Sequence, residues 1–278
     1  MKSLAKTFIA SLIVSLPALT EAAPVTRSIG GDGTPASIQA TIDLFRADLG
    51  GVLNPNVVGS FPSGRREINW DGVPDALASP NNLPLNFFNV NSPRGAVFTT
   101  PGTSVGVSAN GAIGPVRFGD LNATYPSLFS TFSAQRLFTP IGSNIVDVQF
   151  FVPGSTNPAA TSGFGAVFTD VDLANTTSIQ YFDVNNVSLG TFFAPVDVVA
   201  DGGLSFLGVS FGANIVSRVR ITNGNASLGP NETAAIDLVV MDDFLYGEPQ
   251  RVPEPGTLVL LGVAIIGWRF GKPRRIAG

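Results

Sequence analysis

Between residues 61 and 247 the chain reads as a succession of short β-like runs, each cut off by Gly, Pro, Asn or Asp. This punctuation is the strongest constraint on the fold, because short strands at close spacing pair through turns into an antiparallel sandwich. Strand candidates fall at 96–100, 105–108, 145–152, 164–169, 178–184, 187–193, 204–211, 215–222 and 236–246. In IVSRVRIT, Ile215, Val219 and Ile221 share one face while Arg218 and Arg220 share the other. IVDVQFFV alternates in the same way, with Val146, Val148, Phe150 and Val152 directed inward. A period of two marks a strand with one buried face. The expected fold is all-β, an antiparallel and jelly-roll-like β-sandwich over residues 61–250.

An N-terminal arm, residues 23–60, precedes it and carries one amphipathic helix at about 36–49. Ile38, Ile42, Phe45 and Leu49 recur at helical spacing. Thr34 is the expected N-cap, with Pro35 at the first helical position and Gly50–Gly51 as the stop. The helix is expected to pack against a sheet.

The inventory of reactive side chains is narrow. The chain contains no His and no Cys, and its only lysines are Lys2, Lys6 and Lys272. The region between them lacks the usual general bases, a thiol nucleophile and a Schiff-base amine. Zinc's preferred ligands are missing too, and no disulfide is possible. A non-enzymatic protein is the expectation. Residues 23–250 hold 18 acids against nine arginines, a net charge of −9. This balance opposes binding to nucleic acid, whose phosphates demand basic surface, and suits divalent cations.

Both ends of the sequence read as processing signals. Lys2 and Lys6 precede a short apolar segment and small residues around Ala22, the order of a secretory signal peptide over residues 1–22, cleaved by signal peptidase after Ala22. Residues 256–268 form a 13-residue apolar run. As a single hydrophobic helix it would span about 20 Å, against a hydrocarbon core of about 30 Å. Arg269, Lys272, Arg274 and Arg275 follow it and would stay in the cytoplasm, leaving the domain outside. Pro253-Glu254-Pro255, an apolar helix and a basic cluster, in that order, resemble the PEP-CTERM sorting signal over 251–278. The resemblance implies a Gram-negative bacterium, transient anchoring in the inner membrane and processing by exosortase near Pro-Glu-Pro. It further implies a destination at the cell surface or in an extracellular matrix (biofilm).

Three stretches offer candidate sites. In MDDF, Asp242 and Asp243 follow a hydrophobic run, and strict alternation would put one on each face of the strand. The inward one must then be hydrogen-bonded, paired or metal-bound, and Ca2+ takes oxygen ligands without His. The stretch also resembles the last strand of jelly-roll carbohydrate-binding domains, in which an aspartate can ligate a structural calcium. In GRREINWDGVPD, Trp70 could stack on a sugar while Arg66 and Asp71 bond its hydroxyls. The alternative makes Trp70 core and pairs Arg65 or Arg66 with an aspartate such as Asp243. FTDVDLANTTSIQYFDVNN offers Asp170, Asp172 and Asp183, and its Asp-x-Asp suggests a calcium loop. The Gly and final Glu of an EF-hand are missing, however, and Asp and Asn are equally expected in a turn between strands. Expected roles are therefore a surface or matrix component first, a carbohydrate-binding module for extracellular polysaccharide second, and a carboxylate-only glycan hydrolase third. Only three glutamates, Glu67, Glu232 and Glu248, lie in the exported region to serve a hydrolase.

Overall fold

The computed structural model describes residues 23–252. The leader with Ala22, the Pro253-Glu254-Pro255 motif, the apolar run and the basic cluster all lie outside the described residues. Among the described residues no helix is long and apolar enough to cross a membrane.

In chain order the strands are β1 (Val25–Gly30), β2 (Arg65–Ile68), β3 (Ala96–Thr99), β4 (Ser104–Val107), β5 (Phe138–Ile141), β6 (Ile145–Phe150) and β7 (Ala159–Ala160). They continue with β8 (Gly163–Thr169), β9 (Ser178–Phe182), β10 (Ser188–Phe193), β11 (Leu204–Ser210), β12 (Arg218–Thr222), β13 (Val240–Gly247) and β14 (Gln250–Arg251). The long helix is α1 (Ala36–Asp48), and two single turns follow, α2 (Phe87–Val90) and α3 (Tyr125–Leu128). One sheet runs β1-β11-β8-β13-β5-β4, with β2 also paired to β13. The other runs β10-β9-β12-β6-β3, and β14 pairs with β7 in a small ribbon. The ladders are antiparallel.

The two sheets close on a single apolar core. Phe98, Val146, Val148, Phe150, Ile179, Tyr181, Val219 and Ile221 enter it from the five-stranded sheet, and Phe138, Phe164, Phe168, Val209, Met241, Phe244 and Tyr246 from the larger one. The alternation expected in β6 and β12 is realised. Val146, Val148, Val219 and Ile221 have no exposed surface, while Arg218 and Arg220 sit opposite them and pair with Asp147. In β8, β11 and β13 both faces are buried. The reason is α1, which lays Ile38, Ile42, Phe45 and Leu49 on the outer face of the large sheet against Val167, Leu204, Phe206 and Leu245. Phe45 reaches the backbone only because Gly165 and Gly208 lie beneath it. A Cβ on either glycine would come within 2.7–2.9 Å of its ring.

Two details at α1 depart from the sequence reading. The N-cap residue is Pro35, with no side-chain cap, and the Thr34 hydroxyl donates to Asp32 at 2.5 Å. The arm is also not separate from the sandwich, because β1 zips along β11 from Val25↔Ser210 to Gly30↔Ser205.

The departure that matters most lies in β13. Against β8, Met241 pairs with Phe168 and Phe244 with Ala166, so one extra residue is held on β13 between them. This is a β-bulge, and it suspends alternation locally. Met241 and Phe244 both face the core. Asp242 and Asp243 therefore share the outer face, where strict alternation would have separated them.

Candidate metal centre

Three loops meet at one end of the sandwich. The end of β8, the β10–β11 connection and the β12–β13 connection bring Asp172, Asp197, Asp201 and Glu232 into the wall of a groove of about 960 Å³. Thr124, Ser127 and Asn231 line it as well, and no arginine or lysine does. Asp170 and Asp237, both without exposed surface, complete the acidic group.

Four of these carboxylates pin loops. Asp197 accepts from the amides of Val171 (3.1 Å) and Val199 (3.3 Å), and Asp237 from the amide of Asp172 (3.0 Å) and the Thr176 hydroxyl. Asp170 takes a left-handed backbone, φ 72°, immediately after β8, a conformation that Asp tolerates better than most residues. Its Oδ1 accepts from the Gly202 amide at 2.9 Å. Glu232 Oε1 accepts from the Leu238 amide at 3.1 Å. The remaining oxygen of each, Asp170 Oδ2 and Glu232 Oε2, is buried with no hydrogen-bond partner. Asp170, Asp201 and Glu232 each bring one carboxylate oxygen within 4.8 Å of the others, a grouping able to share one metal ion.

The electrostatics follow from that geometry. Burial, then the Glu232 carboxyl, pushes the Asp170 carboxyl up to about 10. Burial raises Asp197 to about 6, and burial is also the leading cause of the upward shifts of Asp172, Glu232 and Asp237.

Of the expected calcium residues, Asp170 therefore belongs to a metal-capable group and Asp172 lines the same groove, while nothing in the sequence singles out Asp201 and Glu232. In sequence Asp201 is one acid in a Gly-rich loop and Glu232 sits in an Asn-Glu-Thr turn, so only the fold brings them to Asp170. Asp183 is used locally, accepting from the amides of Asn185 (2.9 Å) and Val187 (2.7 Å).

Asp242 and Asp243 are engaged otherwise. Asp242 Oδ2 accepts from the amides of Phe132 (2.7 Å) and Ser133 (3.2 Å). The Ser133 hydroxyl lies within 3.0 Å of Asp242 Oδ1 and 2.7 Å of Asp243 Oδ1. The bulge thus clamps the loop before β5, and the metal-capable group among the described residues excludes the pair. Burial, then Asp243, holds Asp242 well above the carboxylate range, and burial lifts Asp243 to about 6.

Of the two readings of GRREINWDGVPD, the one that makes Trp70 core is borne out and the sugar platform is corrected. Trp70 is 1% exposed, stacked on Phe138 at 4.1 Å and edge-on to Phe88 and Phe244, and its Nε1 donates to the Asp242 carbonyl at 2.7 Å. Its φ of 66° turns the indole inward although its sequence neighbours are polar. Arg66, fully buried, forms a two-pronged pair with Glu248 at 2.6 and 2.8 Å. Arg65 pairs with Glu67 at 2.6 Å, so neither arginine meets the expected Asp243. Asp71 accepts from the Arg136 amide at 3.1 Å. Trp70 and Arg66 offer no open face to a sugar, and Asp71 alone stays partly exposed.

Comparison with known proteins adds one informative match. No curated protein matches the chain. A crystal structure of the enzymatically active domain of bacteriophage CBA120 tailspike protein 4 aligns at a TM-score of 0.27 and 13% identity. That alignment covers 59% of this chain and 20% of the tailspike chain. Residues 251–275 match the model of the PEP-CTERM protein-sorting motif. The chain thus carries a PEP-CTERM sorting signal, which implies processing by exosortase and an exported, surface-sorted protein.

Proposed function

We propose that residues 23–252 are a jelly-roll domain delivered by the sorting signal to the cell surface or extracellular matrix, where it serves as a non-enzymatic component. The carrying observation is that the matched segment begins at Arg251, the last residue of β14, so the signal abuts the folded domain. In this reading signal peptidase removes residues 1–22, and the apolar run at 256–268 anchors the chain until exosortase acts near Pro253-Glu254-Pro255.

Strand order supports the jelly roll. Numbering β5, β6, β8, β9, β10, β11, β12 and β13 from one to eight, one sheet reads 6-3-8-1 and the other 5-4-7-2. Those are two interleaved Greek keys, with β1, β2, β3 and β4 added at the margins. The use of charge supports a non-enzymatic role. Arg66–Glu248, Arg136–Asp75 and Asp242–Ser133 are committed to holding loops. Residues 23–252 also contain no His, Cys or Lys.

The test expresses the full chain with and without exosortase in a polysaccharide-producing Gram-negative host. The expected result is a shortened, surface-exposed product with the enzyme and a full-length, membrane-retained one without it. Alanine at Pro253, Glu254 and Pro255 together should reproduce the second pattern. A shortened product regardless of exosortase contradicts the proposal. The groove's hydroxyl, amide and carboxylate lining favours a carbohydrate-binding module as second reading, which specific binding on a glycan array would establish.

A further inference from the structure

We propose that Asp170, Asp201 and Glu232 form a calcium site that ties together the three loops at the acidic end of the sandwich. The cluster of acids is not what carries this. The carrying observation is the pair of buried oxygens, Asp170 Oδ2 and Glu232 Oε2, that have no hydrogen-bond partner although each sister oxygen holds a backbone amide. Buried polar atoms are nearly always satisfied, so two orphaned carboxylate oxygens in one place call for a ligand. A carboxylate fixed by an amide on one oxygen and open on the other is already oriented for a metal, as hydrogen-bonded ligands in metal sites are.

The ligand's chemistry follows from the donors. All three are hard oxygen anions, and one oxygen of each lies within 4.8 Å of the others. With metal–oxygen distances of about 2.3–2.6 Å, such oxygens fit in one calcium shell. No cationic side chain lines the groove to compete. The groove admits water to the further positions that a 6–8-coordinate ion requires. Asp172, Asp197 and Asp237 surround the site and add negative potential without offering free oxygens of the same kind. Protonation is the competing way to satisfy the pair, since Asp170 and Glu232 are close enough to share one proton.

The site would join residues 170, 201 and 232, which are far apart in sequence and lie in loops from both sheets. Calcium would lock this end of the sandwich after export, where the ion is plentiful.

Calcium chloride is titrated into the full chain by calorimetry at pH 7.5, with magnesium chloride in parallel, and thermal unfolding is followed in calcium and in EDTA. The expected result is one calcium per chain and a higher melting temperature in calcium than in EDTA, with a much smaller response to magnesium. Asp201→Asn should weaken calcium binding at least about tenfold while leaving the EDTA melting temperature unchanged. The double variant Asp170→Asn/Glu232→Gln should abolish the calcium response yet melt in EDTA no lower than the wild type, because the two amides can hydrogen-bond each other in place of the orphaned oxygens. Wild type indifferent to calcium, equal responses to both cations, or a calcium response surviving in the double variant would overturn the assignment. Sorting by the C-terminal signal is unaffected by any of these outcomes.

Discussion

At the scale of single residues, the sequence leaves two readings of Trp70 open, a sugar platform and a core position, and the fold decides for the core. Trp70 stands among Asn69, Asp71 and Arg66, company that suggests solvent, yet its left-handed φ carries the ring into the aromatic core beside Phe138. Trp70→Ala should therefore cost about 3–5 kcal/mol in urea unfolding, through lost burial and a cavity. Arg66 shows another limit. That Arg65 or Arg66 pairs with an acid is legible from the excess of carboxylates over arginines. The choice of Glu248 by Arg66, 182 residues away, is not. Glu248→Ala leaves a fully buried guanidinium uncompensated and should cost about 3–5 kcal/mol by the same measurement, whereas exposed-pair substitutions such as Asp43→Ala should cost under about 1.

Elements were legible where burial imposes a period. Strands β3, β6 and β9–β12 fall within expected runs, β4, β8 and β13 overrun theirs by one residue, and α1 ends within one residue of its expected limit. The strands that escaped each lack the pattern. β1 is a half-exposed edge, β2 is Arg-Arg-Glu-Ile with its charges paired, β5 contains Pro140, and β7 and β14 are two residues each. That proline is tolerated because β13 pairs with β5 only at Phe138, which leaves Pro140 bonded on one side. The bulge in β13 was equally invisible, and it reverses the expected separation of Asp242 and Asp243. Folded Asp243 titrates at about 6, above the usual carboxylate value, so the folded state holds its proton longer than the unfolded chain does. Stability from this residue accordingly falls as pH rises from about 4 through about 6. Asp243→Asn keeps an acceptor for Ser133 and should be more stable than wild type by about 1–2 kcal/mol at pH 8, converging with it near pH 4.

For the whole molecule, charge and address were readable and the metal-capable group was only half so. The net −9 of residues 23–250 and the absence of His, Cys and Lys narrowed the chemistry to carboxylates. Asp170 could be suspected from Asp-x-Asp, but its partners arrive through chain crossings that no local spacing encodes. With Asp170 raised to about 10 and Asp197 to about 6, the metal-free protein gains protons on folding across neutral pH. Its melting temperature in EDTA should fall steadily from pH 5 to pH 8.5, and saturating calcium should flatten that slope. The sorting signal is the feature on which the functional account rests, and it is tested most directly by intact-mass spectrometry of the protein recovered from the surface and medium of an exosortase-bearing host. The account predicts a species that begins at Ala23 and has lost the apolar run and basic cluster beyond Pro253-Glu254-Pro255. A surface species that retains Arg269, Lys272, Arg274 and Arg275 would contradict it.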